Sequence, residues 1–251
     1  MTTAILSALA QEQSGLLAAL QQPVRTQHAG RSFSSGVLHG QPVVLALSGI
    51  GKVAAATTAS ALIERFGATR IVFTGVAGGV GDGVNVGDVV VARSYVQHDM
   101  DASPLFARWL VPGYADICLP CDSELSALLS GAASAYLASV SGLFDINSGT
   151  TAPRLHHGLM ASGDRFINCP EVSNALRTPL LDAGHDVLAV EMEGAAVAQV
   201  CLDYGVAFAA MRTISDRADA TAHVDFAQFI DTVASRYADH IVRNLLQSLP
   251  K

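Results

Sequence analysis

The sequence predicts a single three-layer α/β domain spanning residues 1–251. Three observations carry this expectation. The strand candidates are nearly continuous apolar runs, the pattern of a sheet covered on both faces. Helix-like segments separate them in strand–helix–strand order. Half of the 251 residues are apolar and only 15% are charged, against about 25% charged in ordinary domains, so a large core is available.

The elements follow in order. Ala4–Leu9 is the first strand candidate. Residues 31–40 and 42–48 read as a hairpin pair broken at Gly40-Gln41-Pro42. The second of these ends at Ser48-Gly-Ile-Gly51. Lys52–Phe66 is rich in Ala and closed by Gly67, which predicts a helix with a glycine cap. Arg70–Thr74 reads as a buried strand that stops at Gly75, and Gly87–Ala92 as another after a glycine-rich loop. Ser123–Leu137 looks helical, followed by a turn and a strand. Gly158–Ser162 and Val187–Val190 are short strand candidates. Glu193–Tyr204 reads as a helix before Gly205, and Val206–Arg212 as the last strand. Phe226–Ser248 predicts a long amphipathic helix with Phe226, Phe229, Ile230, Val233, Tyr237, Ile241, Leu245 and Leu246 on one stripe.

Composition excludes several functions. Lys and Arg total 15 and Asp and Glu 22, a net charge of −7, so no nucleic-acid partner is expected. A chain this apolar is not disordered. Two long runs lack charge, Ser32–Gly51 and Leu125–Phe144. His39, Gly40 and Pro42 break the first, and several serines with Gly131 and Gly142 break the second. Neither is a good membrane span. The N-terminus has no basic n-region, so no secretory signal is expected. The low charge fraction raises the expectation of a buried self-interface. Cys118-Leu-Pro-Cys121 is a CxxC that could be a redox pair or half a zinc site. Cys169 and Cys201 form no second pair, so reduced cysteines of a cytoplasmic protein are the favoured reading. No metal-ligand constellation is present in the sequence.

Ligands of such sheets bind outside the carboxyl ends of the strands, and four strand ends carry polar residues. Glu12 follows the first strand; a helix N-terminal charge is its plainer reading. Gly75-Val-Ala-Gly-Gly-Val-Gly-Asp-Gly83 leads into another strand. It therefore fits neither a dinucleotide fingerprint nor a P-loop, and a tight turn is its plainer reading. Its Val76, Ala77 and Gly78 would form a backbone floor. Glu191-Met192-Glu193 places two carboxylates on one face of an extended stretch, which suits a vicinal diol; alternatively Glu193 merely begins a helix. Arg212-Thr-Ile-Ser-Asp216 brings Arg212, Ser215 and Asp216 to the last strand end, where surface charges are the plainer reading. Their joint placement at four strand ends points to one pocket for a polar, sugar-like ligand and to acid–base chemistry.

The strings Ser48-Gly-Ile-Gly-Lys-Val-Ala-Ala55, Thr74-Gly-Val-Ala-Gly-Gly79, Ser162-Gly-Asp-Arg-Phe-Ile167, Val190-Glu-Met-Glu193 and Arg212-Thr-Ile-Ser-Asp216 occur in this order. Together they resemble the nucleoside phosphorylase and nucleosidase superfamily, and most of all its 5′-methylthioadenosine/S-adenosylhomocysteine nucleosidases. The resemblance implies a central mixed sheet and hydrolysis of the N-ribosidic bond of 5′-substituted adenosines, without a cofactor. It implies that Asp216 protonates the leaving purine at N7 and Glu12 activates the attacking water. Glu193 would hold the ribose hydroxyls with Met192 beside the sugar, and Arg212 would orient the water and its carboxylate neighbours. Phe166 would stack on the adenine and the Ile167 backbone would read its edge. Ser215 would position Asp216, and Ile50 and Phe226 would border the sugar and the 5′ substituent. The same resemblance implies a homodimer whose contact helix is Ile50–Phe66. Met100, Pro104, Leu105, Phe106 and Pro112 would then close the partner's 5′ pocket. It also implies a part in clearing methylthioadenosine and adenosylhomocysteine for methionine salvage.

Cleaving an N-ribosidic bond passes through an oxocarbenium-like state, which needs an acid on the base and a nucleophile below the sugar. Asp216 should therefore be shielded from water and keep its proton near neutral pH. Phosphorolysis is the nearest competing reaction. Phosphorylases of the superfamily place an Arg and a Ser around the first glycine of the loop, where this chain has Thr74 and Val76. A carboxylate under the sugar would repel phosphate and favours water. A futalosine-type nucleosidase and a non-catalytic nucleoside-binding protein are the further alternatives.

Overall fold

Apolar runs become strands wherever helices can cover both of their faces, and this decides the architecture. The computed structural model describes residues 1–140, 152–219, 222, 229 and 235–250. The strands are β1 (Thr2–Ser7), β2 (Gln21–His28), β3 (Arg31–Leu38), β4 (Gln41–Leu47), β5 (Ala68–Gly79), β6 (Val89–Gln97), β7 (Leu119–Pro120), β8 (Leu155–Ser162), β9 (Val187–Glu191) and β10 (Ala207–Asp216). The helices are α1 (Ala10–Ala19), α2 (Lys52–Glu64), α3 (Ser123–Val140), α4 (Pro170–Asp182), α5 (Gly194–Tyr204) and α6 (Ser235–Ser248).

The strands form one mixed sheet. β5 pairs in parallel with β1, which pairs in parallel with β4; β3 and β2 extend this arm antiparallel. The other arm closes on itself. β5 pairs with β10, β10 with β6, β6 with β8, β8 with β9, and β9 returns to β5 through Val190 and Ala189 opposite Gly78 and Gly79. The carboxyl ends of β1, β5, β9 and β10 therefore gather around one region.

Alternate side chains of each strand feed two cores. Ala4, Leu6, Val44, Ala46, Ile71, Phe73, Phe208 and Ala210 pack toward α2 and α5. Ile5, Val43, Leu45, Val72, Ala209 and Met211 pack toward α1, α3 and α6. This is the expected α/β/α sandwich. The stripe of the last helix holds for Tyr237, Ile241, Leu245 and Leu246, all buried. Phe226, Ile230 and Val233 of that stripe lie outside the described residues, as does the strand expected after the turn at 142.

Two expectations about strand ends are corrected. β5 does not stop at Gly75 but continues to Gly79, so the first half of the glycine segment is strand and not a turn. Its backbone hydrogen bonds go to β10 and β9, which satisfies a buried segment better than an open loop would. The strand after it starts at Val89 and runs on to Gln97. The Cys118–Cys121 pair brackets β7, and all four cysteines are free thiols. Burial pushes the Cys121 thiol up to about 12, which leaves it an inert packing group. Among the described residues no helix is long and apolar enough to cross a membrane.

Candidate active site

A cavity of about 410 Å3 opens where β1, β5, β9 and β10 end, within the range of small-molecule sites. Glu12, Ile50, Val76, Ala77, Gly78, Phe166, Ile167, Glu191, Met192, Glu193, Ser215 and Asp216 all line it. These residues come from segments more than 200 positions apart, brought together by the sheet.

Glu12 stands in the first turn of α1. Its Oε2 accepts the N–H groups of Ala8 and Leu9 at 2.9 and 2.8 Å. Its Oε1 accepts the Val76 N–H at 3.1 Å. The helix-cap position and a place in the cavity lining are thus compatible, because the carboxylate caps α1 and also lines the cavity. Burial raises its pKa, while these backbone donors and Arg212 pull the other way. The glycines of β5 have a steric reason here. A Cβ on Gly75 would lie 2.9 Å from Glu12 Oε1, and one on Gly78 would lie 2.9 Å from Asp216 Oδ1. Both positions must be bare for the two carboxylates to approach the strand.

Asp216 ends β10 and is 2% exposed. Ser215 Oγ donates to its Oδ2 at 2.8 Å, and the Ala218 N–H donates to its Oδ1 at 2.8 Å. The shielding from water and the positioning by Ser215 match the expectation. Glu193 caps the start of α5, and its Oε1 accepts the Gly51 N–H at 2.8 Å. Burial first, and then the adjacent Glu191, push its pKa above the usual carboxylate range.

Glu191 and Arg212 are engaged with each other. Glu191 lines the cavity, but its carboxylate is already engaged. It accepts Ser162 Oγ, the N–H groups of Glu193 and Gly194, and Arg212 Nη2 at 2.6 Å. The Glu191–Glu193 pair is therefore not a free diol clamp, since the Glu191 carboxylate is held by these partners. Arg212 is 1% exposed and does not line the cavity. It lies underneath, its guanidinium 4.1 Å from the Phe73 ring centroid and its Nη1 donating to Met211 O at 3.1 Å. Burial works against its charge, and Tyr95, Glu191, Glu193 and Glu12 outweigh that and raise its pKa.

Met100 and Pro112 do not line this chain's cavity, and Phe226 lies outside the described residues. Sequence reasoning missed four lining residues, Ala8, Leu9, Arg165 and Val190. Ala8 and Leu9 were findable as the backbone donors that a carboxylate at Glu12 requires. Arg165 sits inside the Ser162–Ile167 string beside Phe166.

Comparisons place the chain among known proteins. A family model described as the phosphorylase superfamily matches residues 2–247. A 5′-methylthioadenosine/S-adenosylhomocysteine nucleosidase of Mycobacterium bovis is 35% identical over 262 residues, covering 100% of this chain and 97% of the relative. Among solved structures, the 5′-methylthioadenosine/S-adenosylhomocysteine nucleosidase of Neisseria meningitidis in complex with methylthio-immucillin-A matches with a TM-score of 0.85 and 32% identity over 99% of both chains. The futalosine hydrolase of Helicobacter pylori matches with a TM-score of 0.84 and 30% identity, over 99% of this chain and 98% of that one. The chain belongs to the phosphorylase superfamily and, within it, to the family of 5′-methylthioadenosine/S-adenosylhomocysteine nucleosidases.

Proposed function

We propose that this protein hydrolyses the N-ribosidic bond of 5′-substituted adenosines such as 5′-methylthioadenosine, S-adenosylhomocysteine and 5′-deoxyadenosine, releasing adenine and a 5-substituted ribose. The observation that carries this is the convergence of Glu12, Glu193 and Asp216 on one cavity, in a chain of this family.

The chemistry is the one the family resemblance implies, and the geometry supports it. Phe166 stacks on the adenine and the Ile167 backbone reads its edge. Asp216 protonates N7, so that the base leaves neutral. Positive charge then grows on the ribose. The carboxylates around the cavity stabilise it, more strongly than they would in water because they are buried. Glu193 binds the ribose hydroxyls while the Gly51 N–H holds its other side. Glu12, fixed by its three backbone donors, takes a proton from the attacking water. Arg212 keeps Glu191, and through it the start of α5, in place. No step calls for a metal or a cofactor.

The reading extends to a homodimer with a shared 5′ pocket. Its support is a set of exposed apolar residues just before and on α2 and on the 100–112 loop: Ile50 and Val53 are 59% and 78% exposed, Leu105 and Phe106 83% and 44%. Pro112 is exposed as well. A location in the cytoplasm is supported by the four free thiols, and the reaction would serve methionine salvage.

The test is adenine release from a panel varied at the 5′ position, with a futalosine-type nucleoside included because of the Helicobacter pylori neighbour. Turnover of methylthioadenosine and adenosylhomocysteine is expected. A protein that binds these nucleosides without releasing adenine contradicts the reading, and selective cleavage of the futalosine-type nucleoside reassigns it.

A further inference from the structure

Lys52 at the start of α2, Asp99 after the end of β6 and Asp164 in the loop after β8 meet beside the cavity without lining it. Their side chains close a ring of hydrogen bonds. Lys52 Nζ donates to Asp99 Oδ1 at 2.5 Å. The Asp164 N–H donates to Asp99 Oδ2 at 2.9 Å. The Lys52 N–H donates to Asp164 Oδ1 at 2.7 Å. Lys52 Nζ also donates to the buried Gln97 Oε1 at 3.1 Å, and Gln97 Nε2 donates to Gln199 Oε1 on α5 at 2.9 Å.

The ring touches both walls of the cavity one step removed. Residue 51 precedes Lys52 and gives its N–H to Glu193. Its φ of +97° suits glycine alone, so the direction of that N–H depends on how the start of α2 is held. Asp164 stands two residues before Phe166, which lines the cavity. Asp99 therefore ties the peptide that orients the carboxylate on the sugar side to the loop that carries the aromatic ring on the base side. The Lys52 and Asp99 side chains are 18% and 32% exposed, so water screens the pair in part.

We propose that Lys52, Asp99 and Asp164 form a positioning triad that presets the distance between the sugar-binding and base-binding walls. The triad rests on the function proposed above. Its members do not touch substrate. They act equally on bound substrate and transition state, so their loss should appear in KM and not in kcat.

The test measures methylthioadenosine hydrolysis by Asp99→Asn, Lys52→Met and the double variant, with melting temperatures. Each single change is expected to raise KM about tenfold, the size carried by one charge-assisted hydrogen bond. Turnover should stay within about threefold of the parent protein, a split that a merely structural defect would not give. The double variant should be no worse than either single, because all three break the same ring. Melting temperatures should fall by only a few degrees. Unchanged KM in the singles, a fall in kcat with KM constant, or multiplied effects in the double variant would overturn the proposal. Should Asp99→Asn fail to fold, Asp164→Ala removes the Oδ1 that accepts the Lys52 N–H, opens the ring from another corner and is judged by the same criteria. A parent protein that cleaves no 5′-substituted adenosine sinks the function itself. Normal cleavage with indifferent variants sinks only the triad.

Discussion

Changing Asp216 to Asn is expected to lower kcat for adenine release by about 10²–10⁴-fold, the usual contribution of a positioned general acid. The amide keeps the size of the carboxyl group; its oxygen can still accept the Ala218 N–H, and its NH2 can donate to Ser215 Oγ once that hydroxyl turns its own proton away, in place of the two 2.8 Å bonds that hold the present side chain. The fold should therefore survive. What is lost is a proton that can pass to N7, so adenine must leave as an anion. Substrate binding should change much less than turnover. Steady-state kinetics with an unfolding curve for the same preparation check this. Near-parental turnover would remove Asp216 from the mechanism.

Arg212→Met should produce the largest loss of stability. Arg212 is the buried counter-charge to Glu191, with both side chains 2% exposed. Truncating one partner of a buried pair leaves the other charge without compensation, at a cost of about 3–5 kcal/mol. Met fills much of the volume against Phe73, so the defect is mainly electrostatic and not a cavity. Urea unfolding of the two proteins at neutral pH measures the difference. A loss below about 1 kcal/mol, the level of an exposed ion pair, would mean that Glu191 does not depend on Arg212.

The layers were legible because β1, β4 and β10 are apolar runs with helices between them. β2 was not. Its sequence, Gln-Gln-Pro-Val-Arg-Thr-Gln-His, is almost wholly exposed at the edge of the sheet, where polar residues and a Pro are tolerated and leave no hydrophobic signal. α4 was missed as well, with Pro179 inside it. The second half of β5 was misread because its glycines resemble a turn. Their cause is the approach of Glu12 and Asp216 from other segments, which no local pattern contains.

The site was legible as a set of strand ends, and twelve of the expected residues line the cavity. Direction was harder to read than position. Arg212 and Asp216 share one strand, yet one lies under the cavity and the other faces it. The difference comes from a register irregularity between Ile214 and Asp216, where simple alternation fails. The two Glu residues of the β9 end divide in the same way, since one is consumed by Arg212 and the start of α5 while the other remains available.

The central claim is that water, and not phosphate, attacks the ribose above Glu12. It is tested most directly by the rate of adenine release from methylthioadenosine in phosphate-free buffer and in the same buffer with phosphate added, together with identification of the sugar product. Equal rates and free 5-methylthioribose in both buffers are predicted. Adenine release that requires phosphate and yields a ribose 1-phosphate would contradict the account.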